Sequence, residues 1–443
     1  MSIFKAYDIR GTYPDQIDAQ VARRIGSAFA RFLDAKRLVV GRDMRTMAVE
    51  IQDAFIEGIL EQGCDVVDIG LASTPATYYA IGSIPCDGGV CVTASHNPKQ
   101  YIGFKLCREE ARPLSADYGI PDIQQLFDSG DLEPRGQKGK RDTVDHKREF
   151  VDRVASFAKD IEPMTLVVDY ANGMGANEAP EIFAKIPGLE IVPLFEELDG
   201  TFPNHEANPL HEPNLDDLRA KIREVGAPMG IAFDGDADRC AFVDREGRTV
   251  HADLATAILA RGMLERHPGT GIIYDLRSSK VVPEEIVRLG GRPVRERVGH
   301  SFMKETMRRE GCIGGGELSG HFYFGEFYFT DCGVLACVLM LNQLSKEGID
   351  LKTAADALRR YYPTGEINFR VDDKAAMLAK IESVFHDGQI DHLDGVTVTY
   401  DDWWVNVRPS NTEPYLRMCL EADTAELRDE KRARMIELLG DPV

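Results

Sequence analysis

The stretch Met229–Cys240, MGIAFDGDADRC, is an apolar, strand-like run that empties into a loop carrying Asp234, Asp236 and Asp238. If the loop stays extended, alternate residues project to one side and the three carboxylates converge. Carboxylates crowded this way repel unless a cation neutralises them, and hard oxygen ligands suit Mg2+ before Ca2+ or Mn2+. A calcium-binding EF-hand loop is excluded, because it needs Gly at its sixth position and Glu at its twelfth. Counted from Asp234, those positions hold Arg239 and Arg245. A solvated acidic turn is the competing reading.

The same kind of junction, an apolar run entering a glycine-rich or polar loop, recurs along the chain. RLVVGRDMR from Arg37, TLVVDYANGMG from Thr165 and GIIYDLRSSK from Gly271 each show it. After roughly 40–70 residues each is followed by a second junction: GGVCVTASHNP from Gly88, the MGIAFDGDADR stretch itself, and CIGGGELSGH from Cys312. Such recurrence predicts three similar α/β domains with mixed sheets, in tandem. The polar stretch from Gly130 has the composition of a linker or exposed hairpin, DREGRTV from Asp244 reads as a tight turn, and YYPTG from Tyr361 marks a third break. The expected domains are therefore 1–145, 146–248, 249–361 and a smaller α+β domain over 362–443. The last contains short alternating strands and one closing helix, AELRDEKRARMIELL.

Composition narrows the partners. The formal charge of −21 over 443 residues argues against nucleic acid or an anionic membrane. The longest apolar run, Cys332 to Leu341, is far short of the ~20 residues a membrane helix needs. The nine cysteines are scattered, with no close pair of the zinc or redox type, so buried free thiols are expected. The opening MSIFKAYDIRG lacks a basic-then-apolar secretory pattern, so a cytoplasmic location is expected.

In so acidic a chain, an anionic substrate would require locally clustered cations. VRPSNTEPYLR, Val407–Arg417, supplies Arg408, Ser410, Asn411, Thr412 and Arg417, the charge and dense donors that a phosphate demands. CVTASHNPKQYIGFK, Cys91–Lys105, places Ser95 at a strand end before His96, Asn97 and Pro98. That serine could be a nucleophile, a phosphate acceptor or a turn former. The G-x-S-x-G elbow of serine hydrolases is absent, because Thr93 and Asn97 flank it. In GGGELSGHFYF, Gly314–Phe324, glycines allow close backbone approach before Glu317, Ser319 and His321 alternate toward one side. A carboxylate and a hydroxyl suit sugar hydroxyls, and an imidazole suits proton transfer. KAYDIRG puts Arg10 in a loop near the N-terminus. In VGHSFMKE, His300, Ser301 and Lys304 open a predicted helix, whose N-terminus favours anions.

The motifs YDIRG from Tyr7, TASHNP from Thr93, DGDADR from Asp234, GGELSGH from Gly315 and RPSNTEPYLR from Arg408 run in this order along the whole chain. Together they resemble the α-D-phosphohexomutase family. FKAYDIRG and GGELSGH are most similar to its phosphomannomutase/phosphoglucomutase branch. The resemblance implies four domains around a central cleft and a reaction that interconverts hexose 6-phosphate and hexose 1-phosphate. Ser95 would be the phosphoserine, and Asp234, Asp236 and Asp238 would bind Mg2+ with a phosphoserine oxygen as fourth ligand. Arg10, Lys105, Arg239 and His321 would surround the transferring phosphoryl group. Glu317 and Ser319 would hold sugar hydroxyls, with His300 and Arg277 also facing the substrate. Arg408, Ser410, Asn411, Thr412 and Arg417 would grip the non-reacting phosphate.

The resemblance further implies a hexose 1,6-bisphosphate as intermediate and activator, sugar phosphates as partners, and a monomer or small homo-oligomer. Two departures stand out. Ile102 occupies the place of the family's usual Asn before Gly-Phe-Lys, and Arg277 stands where some members have Lys. Two other readings use the same residues: a sugar phosphatase with an aspartate nucleophile in the DGD segment, and a non-catalytic sugar-phosphate sensor.

Overall fold

The computed structural model describes residues 2–410 and 415–443. Its first three sheets repeat one topology. In each, one strand is central, and the next two in the chain flank it in parallel. The fourth then turns back antiparallel beside the third. In the first sheet these strands are Arg37–Arg42, Asp65–Leu71, Gly88–Val92 and Tyr101–Arg108. In the second they are Met164–Asp169, Leu189–Leu194, Met229–Phe233 and Cys240–Asp244. In the third they are Gly271–Asp275, Arg292–Glu296, Cys312–Gly316 and Phe322–Phe324. Parallel strands buried on both faces need continuous apolar runs, and Leu38, Val39 and Val40 are one such run, wholly buried.

The repeat explains why the chemistry-bearing motifs fall where they do. TASHNP, DGDADR and GELSGH each join the third strand to the fourth, so they occupy the same place in three domains. They lie at the carboxyl ends of the parallel strands, where open α/β sheets hold their ligands. The fourth sheet differs. It is antiparallel throughout, in the spatial order Tyr362–Arg370, Tyr415–Ala422, Trp403–Pro409, Val396–Thr399, Gln389–Asp391. Helices Lys374–Val384 and Ala425–Leu439 belong to the same domain. A single apolar cluster runs from Val39 through Leu166 to Leu358, welding the first three domains. The fourth has its own, built on Phe369, Trp403 and Met435.

The polar stretch after Gly130 is more than a linker. Arg141–Thr143 adds a parallel edge strand to the first sheet, held by backbone pairing with Val66–Asp68 rather than by side-chain burial. The tight turn at Asp244 forms, with Gly247 at φ 80°. The strand after it, Thr249–Val250, still pairs with Cys240–Asp244. All nine cysteines are free thiols, and all but Cys86 are buried. Among the described residues, no helix is long and apolar enough to cross a membrane.

Candidate active site

The carboxylate loop converges by turning. The expected extended run stops at Phe233. Ala237 then adopts a left-handed φ of 62°, and its N–H donates to the Asp234 carbonyl at 3.1 Å. Asp234, Asp236 and Asp238 are wholly buried, and one oxygen from each lies within 4.8 Å of the others. Burial, with Asp238 and Asp236 beside it, pushes the Asp234 carboxyl well above the usual carboxylate range. Lys105 Nζ lies 2.7 Å from Asp236 Oδ2 and also pairs with Asp238. Lys105 and, at longer range, Arg239 face three carboxylates, and Asp236 Oδ1 and Asp238 Oδ1 are buried without a hydrogen-bond partner. This donor set fits a hard divalent cation such as Mg2+.

The serine loop meets that cluster edge on. Ser95 Oγ donates to Asp234 Oδ2 at 2.9 Å, and the serine itself sits at φ 51°. The two loops touch backbone to backbone: a Cβ on Gly235 would stand 2.4 Å from the Ser95 carbonyl oxygen, so only glycine fits. His96 Nδ1 is 3.3 Å from Ser95 Oγ. Burial and the cations Arg239, Arg10 and Lys105 hold that ring neutral. Arg239 reaches across the cluster, its Nε 3.7 Å from Asp234, 3.9 Å from Asp238 and 3.2 Å from His321 Nε2.

The third loop is also a turn where an extended run was expected. The Gly320 N–H donates to the Glu317 carbonyl at 3.0 Å, and a φ of 83° at Gly320 lets the chain reverse. Glu317, Ser319 and His321 still meet. Ser319 Oγ is 2.9 Å from His321 Nδ1, and Glu317 Oε2 is 3.4 Å from the same nitrogen. Burial and Arg239 favour the neutral His321 ring. Asp238 and Glu317 outweigh them and raise it to about 9. Glu317, despite burial, is drawn down to about 2 by His321 and Arg277 and by Tyr323. Its carboxylate accepts from the Gly299 N–H at 2.9 Å and from the Tyr323 hydroxyl. His300 opens helix His300–Glu310 as expected, 5.8 Å from the His321 ring. Burial, Lys304 and Lys105 push it well below its usual range.

A cavity of about 500 Å3 gathers these groups, with Arg10, Ser95, Lys105, Arg239, His300, Glu317, Ser319 and His321 in its wall. Arg10 reaches it from the edge strand Ile9–Thr12, not from a loop, because its backbone pairs with Gly103. Among the described residues, none of the fourth domain's cluster lines this cavity. There Glu366 pairs with Arg408 and lies 3.1 Å from Arg417 and 3.6 Å from Arg277. Arg277 is also held by Asp275, at 2.6 Å. The Ser410 N–H donates to the Tyr415 carbonyl at 2.9 Å, while Asn411 and Thr412 lie outside the described residues. Ile102 is buried in the first domain's core with Ile9 and Ile17, facing away from any polar role.

Comparison with known proteins decides what this arrangement belongs to. The four family models of phosphoglucomutase/phosphomannomutase match in order: alpha/beta/alpha domain I over residues 1–133, II over 146–247, III over 251–362, and the C-terminal domain over 366–438. The chain belongs to the phosphoglucomutase/phosphomannomutase family. It is 36% identical to a phosphomannomutase of Salmonella montevideo, across 99% of both chains. It is 39% identical to a protein of Xanthomonas campestris pv. campestris named as phosphohexose mutases, across 94% of each. A crystal structure of a family protein from Burkholderia thailandensis superposes with a TM-score of 0.91 at 31% identity, over 100% of this chain and 98% of the other.

Several residues of this family member were not singled out by its sequence. Thr74 Oγ1 donates to Asp236 Oδ2 at 2.6 Å from the start of helix Thr74–Ser83 in the neighbouring domain. Glu366 bridges three guanidinium groups. Asp331, wholly buried, pairs at 3.1 Å with the equally buried Lys304, which the sequence did single out. Arg45 binds the back of the serine loop. Of these, only Thr74 carries a local signal, the Ser-Thr-Pro that starts a helix.

Proposed function

We propose that the chain moves a phosphoryl group between O1 and O6 of a hexose, mannose or glucose, by way of Ser95. Membership of the family makes it a hexose-phosphate mutase, an isomerase of carbohydrate metabolism. The carrier, the metal and the residue roles are the proposal. One observation carries it: the Ser95 hydroxyl, 2.9 Å from Asp234, opens onto a cavity whose wall holds Arg10, Lys105, Arg239 and His321.

Asp234, Asp236 and Asp238, with an oxygen of phosphorylated Ser95, would hold Mg2+, which when bound would neutralise charge on the transferring group. A free sugar hydroxyl attacks the phosphorus and the bond to Ser95 Oγ breaks, giving the hexose 1,6-bisphosphate. Such transfer is catalysed by positioning and charge stabilisation, which suits a wall of Arg and Lys. His300 and His321, both in the cavity wall, would take the hydroxyl proton and return one to Ser95 Oγ. The bisphosphate then turns end for end and its other phosphate returns to Ser95. Arg408 and Arg417 would grip whichever phosphate is not reacting.

A coupled assay tests this, with glucose 1-phosphate and mannose 1-phosphate, each with a trace of its 1,6-bisphosphate. Mg2+-dependent formation of the 6-phosphate, lost in Ser95→Ala, is expected, and the ratio of kcat/KM values identifies the preferred hexose. Release of inorganic phosphate without isomerisation would contradict the proposal and point to an aspartate nucleophile. Sugar-phosphate binding without turnover would contradict it and point to a sensor.

A further inference from the structure

We infer that Arg45 is the positioning residue that fixes Ser95 in its reactive conformation. The inference rests on the reading of Ser95 as phosphoryl carrier. Arg45 follows the strand Arg37–Arg42 and is only 2% exposed. Its guanidinium donates to four carbonyls of the serine loop: Ser95 at 2.8 Å, Asn97 at 2.6 Å, Pro98 at 2.9 Å and Tyr101 at 3.0 Å. Its remaining nitrogen, Nε, faces Asp43 Oδ2 at 3.2 Å. The loop is thus wrapped around one planar cation. Without it, the buried Ser95 carbonyl and its neighbours at Asn97 and Tyr101 would lose the guanidinium donor, while Pro98 would keep only the Tyr101 N–H, and an unsatisfied buried group is costly.

Why that bears on chemistry follows from the conformation of Ser95. At φ 51° a serine is strained, and a strained residue persists only where its surroundings over-determine it. The Ser95 carbonyl is fixed from two sides. Arg45 Nη2 bonds it from within the first domain, and Gly235 abuts it from the second. With that carbonyl held, the hydroxyl points at Asp234. The second domain also covers Arg45 itself: Phe202 lies 5.2 Å from the guanidinium, and a Cβ on Gly200 would meet the Arg45 Cα at 2.7 Å. A lysine carries the charge but lacks the planar fork that serves four acceptors at once.

The test compares Arg45→Lys with wild type by steady-state kinetics, thermal melting and intact-mass analysis of the phosphorylated form. A folded Arg45→Lys is expected to keep KM within about threefold while kcat falls roughly 100-fold, the scale of an ångström-sized misplacement. Its phosphoserine should also hydrolyse faster to serine and inorganic phosphate. A folded Arg45→Lys with wild-type kcat and phosphoserine lifetime would overturn the inference.

Should that variant not fold, Asp43→Asn decides, since it loosens the guanidinium without removing it. A kcat loss of about tenfold at constant KM, with faster amide exchange over residues 94–101, is expected. Faster loop exchange with unchanged kcat, or no change in either, would overturn it. Wild-type protein serves as the control for the underlying reading: if bisphosphate leaves no phosphoryl group on Ser95, that reading fails, whatever Arg45 does.

Discussion

At the scale of single residues, the site is assembled from groups that burial alone would disfavour. Glu178, between the first two domains and outside the cavity wall, shows the same cost clearly. Its carboxyl is 3% exposed and accepts from the Ser73 N–H at 2.9 Å and Asn177 at 3.0 Å, joining the first domain to the second. Burial raises it to about 7 from the usual 4.5, against those hydrogen bonds. The folded chain therefore keeps a proton that the unfolded chain releases, and stability from this group falls as pH rises from about 4.5 to 7. Glu178→Gln keeps an acceptor and removes the ionisation. Thermal melts should show the variant gaining about 1–3 kcal/mol at pH 8, with little difference at pH 4. Parallel stability curves across that range would contradict this. Nothing local in the sequence marks Glu178, because the burial that raises it comes from packing against distant segments, and the Ser73 N–H that partly offsets it lies 105 residues away.

At the scale of elements, the strand-to-loop junctions were legible and the loop conformations were not. Apolar runs ending in TASHNP, DGDADR and GELSGH gave the right strands, and the side chains of these loops meet in one cavity. The turns that bring them together depend on positive φ at Ala237 and Gly320, and an alanine gives no sign of that. Bonds between distant segments, such as Thr74 to Asp236 across 162 residues, have no local pattern either. The same limit hid Glu366, which sits among Arg277, Arg408 and Arg417 on strand Tyr362–Arg370. If the fourth domain's loop grips a phosphate, Arg408→Ala loses a charged hydrogen bond worth about 1.5–3 kcal/mol. KM for the sugar phosphate should rise roughly tenfold to 100-fold, with intact phosphorylation of Ser95. An unchanged KM would place the non-reacting phosphate elsewhere.

At the scale of the whole molecule, three domains share a continuous core and the fourth keeps its own. The fourth touches the third through polar contacts, among them Lys280 Nζ with Asp423 at 2.9 Å and the Lys280 N–H with Glu421 at 2.9 Å. Polar joints of this kind let domains move. Small-angle X-ray scattering should therefore record a smaller radius of gyration when hexose 1,6-bisphosphate is added, and no change would argue for a rigid molecule. The central claim, that Ser95 and the buried carboxylates form one phosphoryl-carrying centre, is tested most directly by mass. Peptide mapping after incubation with hexose 1,6-bisphosphate and Mg2+ should find a single phosphoryl group on the Ser95 peptide, absent from an inactive Ser95→Ala. A phosphoryl group on Asp234, or a Ser95→Ala variant with full mutase activity, would contradict it.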